Sequence, residues 1–299
     1  MTKTAKTRRI LINDDGWIMS EAEPPLTVND LKKRMVDTYQ GSPVGALLWC
    51  VGNREVFSYE TKVGEAFGQD FEGLGNAIDR KHAENLKRLI DECGGPLTAM
   101  VDLCHEAGID IFPSVRMNSH YEADPSAPTS GRFRNEHPEV LIGQPDEVFP
   151  TGSMRWGIRT GLDYTHQAVR AHMAAIINEL FESFDVDGVE LDFMRHPTFF
   201  KIEDAYANRY LMTDLVRRVR RRMDEVSSVT GRSIDLAVRV PPTLADSARI
   251  GLDVKQWMAE GLVDIVIAGG GFIPGDADHL VFVFAVGLKR GFHVFRWGA

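Results

Sequence analysis

The sequence predicts an α/β fold of the (β/α)8 TIM-barrel type that is incomplete at its C-terminal end. Short runs of β-branched and aromatic residues alternate with longer helical patterns, which is typical of βα units around a parallel sheet. The length of 299 residues suits one such barrel, which takes about 250 residues. Neither an internal repeat nor a low-complexity linker divides the sequence, so we expect a single domain over residues 1–299.

Seven strands are predicted in chain order, each from a short apolar run bounded by polar or turn-forming residues. They span residues 9–13, 46–51, 110–118, 188–194, 234–240, 264–268 and 292–297. Helical patterns separate them at residues 28–39, 76–107, 168–184, 203–230 and 254–260. A closed barrel of this type needs eight strands, so either the chain is truncated or its barrel is incomplete.

A long segment without clear periodicity, residues 118–165, follows the third strand and is rich in Pro, Gly, Ser and Arg. A loop of this length in a compact domain is usually functional. Because it leaves the C-terminal end of a strand, we expect it to lie over the C-terminal face of the barrel, where active sites of this fold are found. The sequence therefore predicts a lid or a substrate wall there.

Composition excludes several classes of function. The net charge of −9 argues against a general nucleic-acid binder. The basic run at residues 217–222 lies in a helical pattern with an apolar opposite stripe, so it predicts a solvated helix face. No segment has the length and apolarity of a membrane span or a secretory signal. The three cysteines lack metal-binding spacing, which favours buried thiols and a cytoplasmic location.

Side-chain alternation sorts each strand into a barrel-facing and a helix-facing set. In the fourth strand Val189, Leu191 and Phe193 form the apolar, helix-facing set, which turns Glu190 and Asp192 inward. The same argument turns these side chains inward: Leu11, Asn13, Phe112, Ser114, Arg116, Asn118, Asp235, Ala237, Arg239, Val266 and Ala268. A buried unpaired charge costs several kcal/mol, so the inward charges must pair or face a wet cleft.

Depth distinguishes the two inward carboxyl groups of the fourth strand. Asp192 lies nearer the C-terminal end, so we expect it to matter for function more than for stability. Glu190 lies about one layer deeper, where we expect a structural ion pair with Arg116 or Arg239. Breaking such a buried pair costs about 3–5 kcal/mol, so Glu190→Gln is expected to destabilise the fold.

Further polar side chains follow the strand ends. Asp15 follows the first strand, and Arg195 precedes His196 and Pro197, a pattern typical of residues presented at a rim. Asn118 and His120 open the long loop, where substrate contact and hydrogen bonding within the loop are equally open. The candidate substrate-binding residues are Asn13, Asp14, Arg116, Asn118, His120, Tyr164, Arg195 and Arg239.

The fourth strand and its exit resemble a known family. Asp187, Gly188, Asp192, Phe193, Arg195 and Pro197 match the fourth-strand pattern of the glycosyl-hydrolase-like family 10 proteins, barrels assigned as glycoside hydrolases. The segments 114–120, 162–170 and 251–264 are similar to a branch of that family, and the resemblance covers roughly residues 8–272. It implies a barrel that acts on carbohydrate.

The same strand also resembles the chitinase motif Asp-Gly-x-Asp-x-Asp-x-Glu. Glu190 occupies the place of the middle Asp, and Met194 occupies the place of the catalytic Glu, which argues against a chitinase mechanism.

The residues point to glycoside hydrolysis by carboxylate acid/base catalysis, with Asp192, Glu190 and Asp15 as the candidate catalytic residues. Glu190 and Asp192 lie on one strand at different depths, so the partner of Asp192 is expected from another strand exit. The substrate would be a poly- or oligosaccharide, with neither metal nor cofactor. Two alternatives stay open: a metal-dependent sugar isomerase or lyase, and a non-catalytic carbohydrate-binding barrel.

Overall fold

The computed structural model describes residues 10–53, 55–69, 74, 76–120, 127–144, 146–269 and 284–287. The strands in chain order are β1 (Ile10–Asp14), β2 (Val44–Cys50), β3 (Gly52–Asn53), β4 (Val56–Phe57), β5 (Glu65–Ala66), β6 (Asp110–Arg116), β7 (Gly188–Asp192), β8 (Asp235–Val240), β9 (Ile265–Ala268) and β10 (Phe284–Gly287). Seven of them form one sheet in the order β1-β2-β6-β7-β8-β9-β10, and β3, β4 and β5 form a small separate sheet.

Six neighbouring strands of the large sheet, from β1 to β9, pair in parallel. The first six predicted strands are therefore confirmed, within a few residues at each end. The strand predicted at residues 292–297 lies outside the described residues. In its place β10, from the apolar stretch after residue 279, pairs antiparallel with β9. The described strands thus form an open, incomplete barrel of the predicted class.

The helices lie between the strands. They are α1 (Ile18–Glu21), α2 (Val28–Leu31), α3 (Ala77–Cys93), α4 (Pro96–Glu106), α5 (Arg132–Glu136), α6 (Met154–Ile158), α7 (Gln167–Ser183), α8 (Ala205–Thr230), α9 (Leu244–Arg249) and α10 (Val254–Ala259). A π-helical turn at Lys32–Val36 and a 3-10 turn at Asp37–Tyr39 extend α2, and a second 3-10 turn spans Pro138–Val140. Among the helices described, none combines the length and apolarity that spanning a bilayer demands.

The single helix predicted at residues 76–107 is wrong, because the chain forms α3 and α4 there. Gly94 ends α3 in the left-handed region with φ of 76°, where its N–H reaches the Ile90 carbonyl. Gly95, with φ of 103°, and Pro96 at the first turn then start α4 in a new direction.

The two faces of the sheet carry different cores. The helix-facing side packs into the main hydrophobic core, which includes Val189, Leu191 and Phe193 as predicted. The inner face carries a smaller apolar cluster: Leu11, Ala46, Leu48, Phe112, Ala237, Ile265 and Ile267. The predicted inward set of the sixth strand is wrong, since Val266 belongs to the main core. Register explains this, because Ala237 faces inward and its neighbour in β9 is Ile265.

A contact across the sheet shows how strongly it curls. Asn13 Nδ2 in β1 donates a hydrogen bond of 2.7 Å to Glu190 Oε2 in β7. Two strands separate β1 from β7, so a flat sheet would hold them about 14 Å apart. The inner face is therefore concave, and the C-terminal ends of the parallel strands meet around one mouth.

Candidate active site

A row of charged side chains crosses the inner face at the C-terminal end of the sheet. Arg116 of β6 is the register partner of Asp192 in β7, and Asp192 is the register partner of Arg239 in β8. One layer deeper, Glu190 lies between Ser114 and Ala237. The structure thus brings the predicted inward residues of three strands together.

Asp192 is held on both carboxylate oxygens. Arg239 Nη1 donates to Oδ2 at 3.3 Å, and the Met194 backbone N–H donates to Oδ1 at 2.8 Å. Asp192 is 5% exposed, whereas the Arg239 side chain is 27% exposed. The carboxylate therefore has a fixed orientation next to a cation that reaches solvent.

Glu190 is fully buried and its closest described partner is the neutral Asn13 amide. Burial, and after it the charge of Asp192, raise the pKa of Glu190 to about 8, although hydrogen bonds from Ser114 and Asn13 oppose this. Burial therefore favours the protonated form of Glu190. The expected arginine clamp on Glu190 is wrong, because Arg239 pairs with Asp192 and Arg116 pairs with Asp15.

Asp15 joins this row from the end of β1. Its Oδ1 lies 3.1 Å from Arg116 Nη2, and its Oδ2 lies 3.6 Å from Arg195 Nη1. The Asp15 side chain is 43% exposed, the largest exposure among the three candidate carboxyl groups. It is therefore an accessible carboxylate held between two guanidinium groups.

The turn after β1 fixes the direction of Asp15. Asp14 Oδ1 accepts a hydrogen bond of 2.8 Å from the Gly16 N–H, and burial raises the pKa of Asp14. Gly16 has φ of +73°, and a Cβ there would lie 2.3 Å from the Cys50 carbonyl oxygen. The turn requires glycine at this position, both for its conformation and for its close approach to β2. Asp14 thus supports the turn through its backbone contact.

A cleft of about 350 Å³ opens beside Asp15, on the β1 and β2 side of the row. Asp15, Arg116 and Arg195 form the end nearest the row. Sequence reasoning missed other lining residues, among them Trp17, Ser20, Ser58 and His82. These four come from three segments, and only Trp17, two residues after Asp15, had a signal in its position after a strand end.

Asn118 and Tyr164 lie behind the site, in places that do not suit the predicted contact with substrate. Asn118 is 2% exposed, and its Nδ2 donates to the Leu162 carbonyl at 2.9 Å and the Thr198 carbonyl at 2.7 Å. Tyr164 is fully buried, and its hydroxyl donates to the Met117 carbonyl. Both side chains tie the long loop to the strand ends.

His120 and His196 meet where β6 and β7 leave the sheet. His196 Nδ1 lies 3.2 Å from His120 Nε2, and the ring centroids are 4.3 Å apart in an edge-to-face arrangement. His196 is only 8% exposed, although the sequence predicts it at the rim. The pair joins the start of the long loop to the segment after β7.

Within the described part of the chain, no three His, Cys, Asp or Glu side chains are grouped as a metal site would need. The three cysteines are free thiols, and Cys50 and Cys104 are buried while Cys93 is partly buried.

Fold and site together define an incomplete parallel α/β barrel with carboxyl and arginine side chains at the C-terminal ends of its strands. No protein-family model matches the chain, and no curated protein matches it.

Several solved structures resemble it. Chitinase ChiW from Paenibacillus sp. str. FPU-7 is 11% identical with a TM-score of 0.45, over 86% of this chain and 23% of that chain. A family GH18 chitinase from Chromobacterium violaceum is 13% identical with a TM-score of 0.45, over 87% and 35%. Alpha-L-fucosidase isoenzyme 2 from Paenibacillus thiaminolyticus is 11% identical with a TM-score of 0.46, over 73% and 31%.

This chain therefore spans about a quarter to a third of the length of those structures.

Proposed function

We propose that the chain is a glycoside hydrolase in which Asp192 and Asp15 act on opposite sides of one glycosidic bond. The observation that carries this proposal is the position of Arg116. It lies 3.1 Å from Asp15 and is the register partner of Asp192, so one side chain adjoins both carboxyl groups. Glycosidases use two carboxyl groups roughly 5–10 Å apart around the scissile bond. The resemblance of residues 187–197 to the glycosyl-hydrolase-like family 10 proteins supports the same function.

The carboxyl groups differ in protonation in a way that suits acid/base work. Burial beside Asp192 favours the protonated form of Glu190. Asp192, which lies nearer the mouth, is assigned as the acid that protonates the glycosidic oxygen. Asp15, exposed between two arginines, serves the opposite face of the sugar, as a base for water or as a nucleophile.

The presence of Met194 supports a catalytic mechanism different from that of chitinases. It occupies the place of the catalytic Glu in the chitinase motif, and it is 6% exposed with an apolar side chain. The acid is therefore assigned to Asp192 and not to a residue two positions later.

We also propose that the long loop, residues 118–165, forms a wall of the site. Thr129 lines the cleft beside Asp15. Asn118, at the start of the loop, donates hydrogen bonds to the carbonyls of Leu162, near the end of the loop, and of Thr198, in the segment after β7, which supports this position.

The test is a screen of the protein against aryl glycosides and polysaccharides, with release of sugar as the readout. Asp192→Asn should lower turnover of any substrate by about 100-fold or more, because acid/base groups typically contribute that much. Asp91→Asn, in an exposed pair with Lys87 on α3, is the matched control and should keep full activity. Saccharide binding without turnover in the unmodified protein would contradict hydrolysis and favour the carbohydrate-binding barrel.

A further inference from the structure

The cleft next to Asp15 has one aromatic wall. Trp17 lines it and is 50% exposed, an unusual state for a side chain this large and apolar. Asp15 and Trp17, on either side of Gly16 in the chain, both line the same cleft. A half-exposed indole offers a flat apolar face with a polar edge, which suits a ligand with an apolar face and polar rim.

The cleft also carries a fixed polar array. His82 Nδ1 lies 3.0 Å from Ser20 Oγ, and His82 Nε2 lies 2.9 Å from Ser58 Oγ. The imidazole ring stacks on Phe67 with centroids 4.1 Å apart. All four of these residues line the cleft. Burial lowers the pKa of His82 to about 4, so the ring is neutral at pH 7.

A neutral imidazole imposes opposite roles on the two serines. One ring nitrogen donates and the other accepts, so one hydroxyl accepts from His82 and the other donates to it. The accepting serine keeps its own O–H for a further bond, and the donating serine keeps lone pairs. The array can therefore present one donor and one acceptor to neighbouring hydroxyl groups of a ligand.

The charges lining the described part of the cleft balance. The acidic side chains are Asp15 and Asp79, and the basic ones are Arg116 and Arg195. Asp15 is already paired with both arginines, and Asp79 accepts a 2.6 Å hydrogen bond from the Asn76 amide. An anionic ligand would compete with Asp15 for the two guanidinium groups, whereas an uncharged one leaves these pairs intact.

We propose that this cleft is a binding subsite for an uncharged pyranose ring, with Trp17 as the stacking platform and the Ser20–His82–Ser58 array as the hydrogen-bonding wall. Its volume of about 350 Å³ is within the range of small-ligand sites and gives room for a monosaccharide unit. The proposal rests on the proposed function, since Asp15 at the end of the cleft is the carboxylate that would meet the scissile bond.

The test measures binding by tryptophan fluorescence, which needs no turnover. Asp192→Asn protein is titrated with maltohexaose, cellohexaose, N-acetylchitohexaose and the acidic hexagalacturonate. At least one neutral hexasaccharide should change the emission, and hexagalacturonate should not. Trp17→Phe should remove that change and weaken binding measured by calorimetry about 10-fold or more. Ser58→Ala should weaken binding while leaving the emission change.

Trp257→Phe is the control for loss of a fluorophore. Trp257 lies in α10 within the main core, outside both the cleft and the long loop, and its replacement should keep both affinity and the emission change. Binding of hexagalacturonate alone, or binding unaffected by Trp17→Phe, overturns the subsite.

The outcomes separate the two proposals. Turnover of a glycoside with a KM unchanged by Trp17→Phe removes the subsite and keeps the hydrolase. Trp17-dependent binding without turnover in the unmodified protein keeps the subsite and removes the hydrolase. The absence of both binding and turnover with every neutral saccharide contradicts both.

Discussion

At the scale of single residues, Glu190 and Asp192 show how depth alone separates two carboxyl groups on one strand. Both face inward as the alternation of β7 predicts, but Glu190 is fully buried beside a neutral amide. Among the described residues no arginine contacts the carboxyl group directly, so burial favours its protonated form over its ionised form. The sequence could predict the face of Glu190 but not its charge, because charge depends on which side chains reach it from distant segments.

The protonated state of Glu190 reverses the expected effect of its substitution. A carboxyl group whose folded-state pKa is raised leaves stability intact below pH 4.5 and reduces it as pH rises toward about 8. Glu190→Gln should therefore raise the free energy of unfolding at pH 7–8 by about 1–3 kcal/mol and leave it unchanged near pH 4. Urea unfolding across this pH range measures both. The exposed Glu84→Gln is the control, and a loss of stability at pH 7 in Glu190→Gln would restore the ion-pair interpretation.

Gly16 offers a second test at the residue scale. Gly16→Ala should lower the free energy of unfolding by about 2–4 kcal/mol, because it adds a steric clash with the Cys50 carbonyl to the strain of a positive φ. Gly41 has a matching φ of +74° but open space around it. Gly41→Ala should therefore lower the free energy of unfolding by only about 1 kcal/mol. Equal losses in thermal or urea unfolding would contradict the close approach to β2.

At the scale of elements, the inward face was predictable for strands with strict alternation and was not predictable for the uniformly apolar β9. In β7 and β8 polar residues mark one face, and the predicted faces are confirmed. In β9 the sequence Ile-Val-Ile-Ala is apolar on both faces, so only pairing with β8 decides which residues turn inward. The antiparallel direction of β10 could not be predicted either, because an apolar run is equally compatible with a parallel and an antiparallel strand.

The long loop depends on one buried ion pair. Arg134 in α5 donates from Nε to both oxygens of Glu55, at 2.9 and 3.0 Å, and both residues are almost fully buried. The same guanidinium donates from Nη1 to the carbonyls of Ser119 and Thr160, which lie near the two ends of the loop. Arg134 therefore joins the loop to the small sheet beneath it.

Arg134→Met should lower the free energy of unfolding by about 3–5 kcal/mol, because it leaves the buried Glu55 carboxylate without its ion-pair partner. Adding Glu55→Gln to this variant should recover part of the loss, since the stranded charge is removed. Arg222→Met, which breaks an exposed pair with Glu182, should cost less than about 1 kcal/mol in the same urea measurement. A small effect of Arg134→Met would show that the loop is held by other contacts.

At the scale of the whole molecule, the candidate site exists because the sheet curls. Parity and strand order predict which side chains reach the mouth, and Arg116, Asp192 and Arg239 do meet there in register. The Ser20–His82–Ser58 array is formed by residues of three separate segments, and none of these segments has a sequence pattern that predicts the array. Groups of side chains on neighbouring strands can therefore be predicted from the sequence. Groups formed by residues of loops and helices can be identified only from the structure.

The contact between Asn13 and Glu190 makes the curl itself testable. The two residues are 177 positions apart in the chain and can hydrogen-bond only if β1 and β7 approach across the concave face. Asn13→Ala and Glu190→Met, combined in a double-mutant cycle, should give a coupling free energy of about 0.5–3 kcal/mol in urea unfolding, as contacting residues do. Asn13→Ala combined with Glu260→Gln, at the exposed C-terminal end of α10, should be additive within about 0.5 kcal/mol. Additivity in the first cycle would mean that the sheet is flatter than described, and the shared mouth that holds Asp15 and Asp192 beside Arg116 would be lost with it.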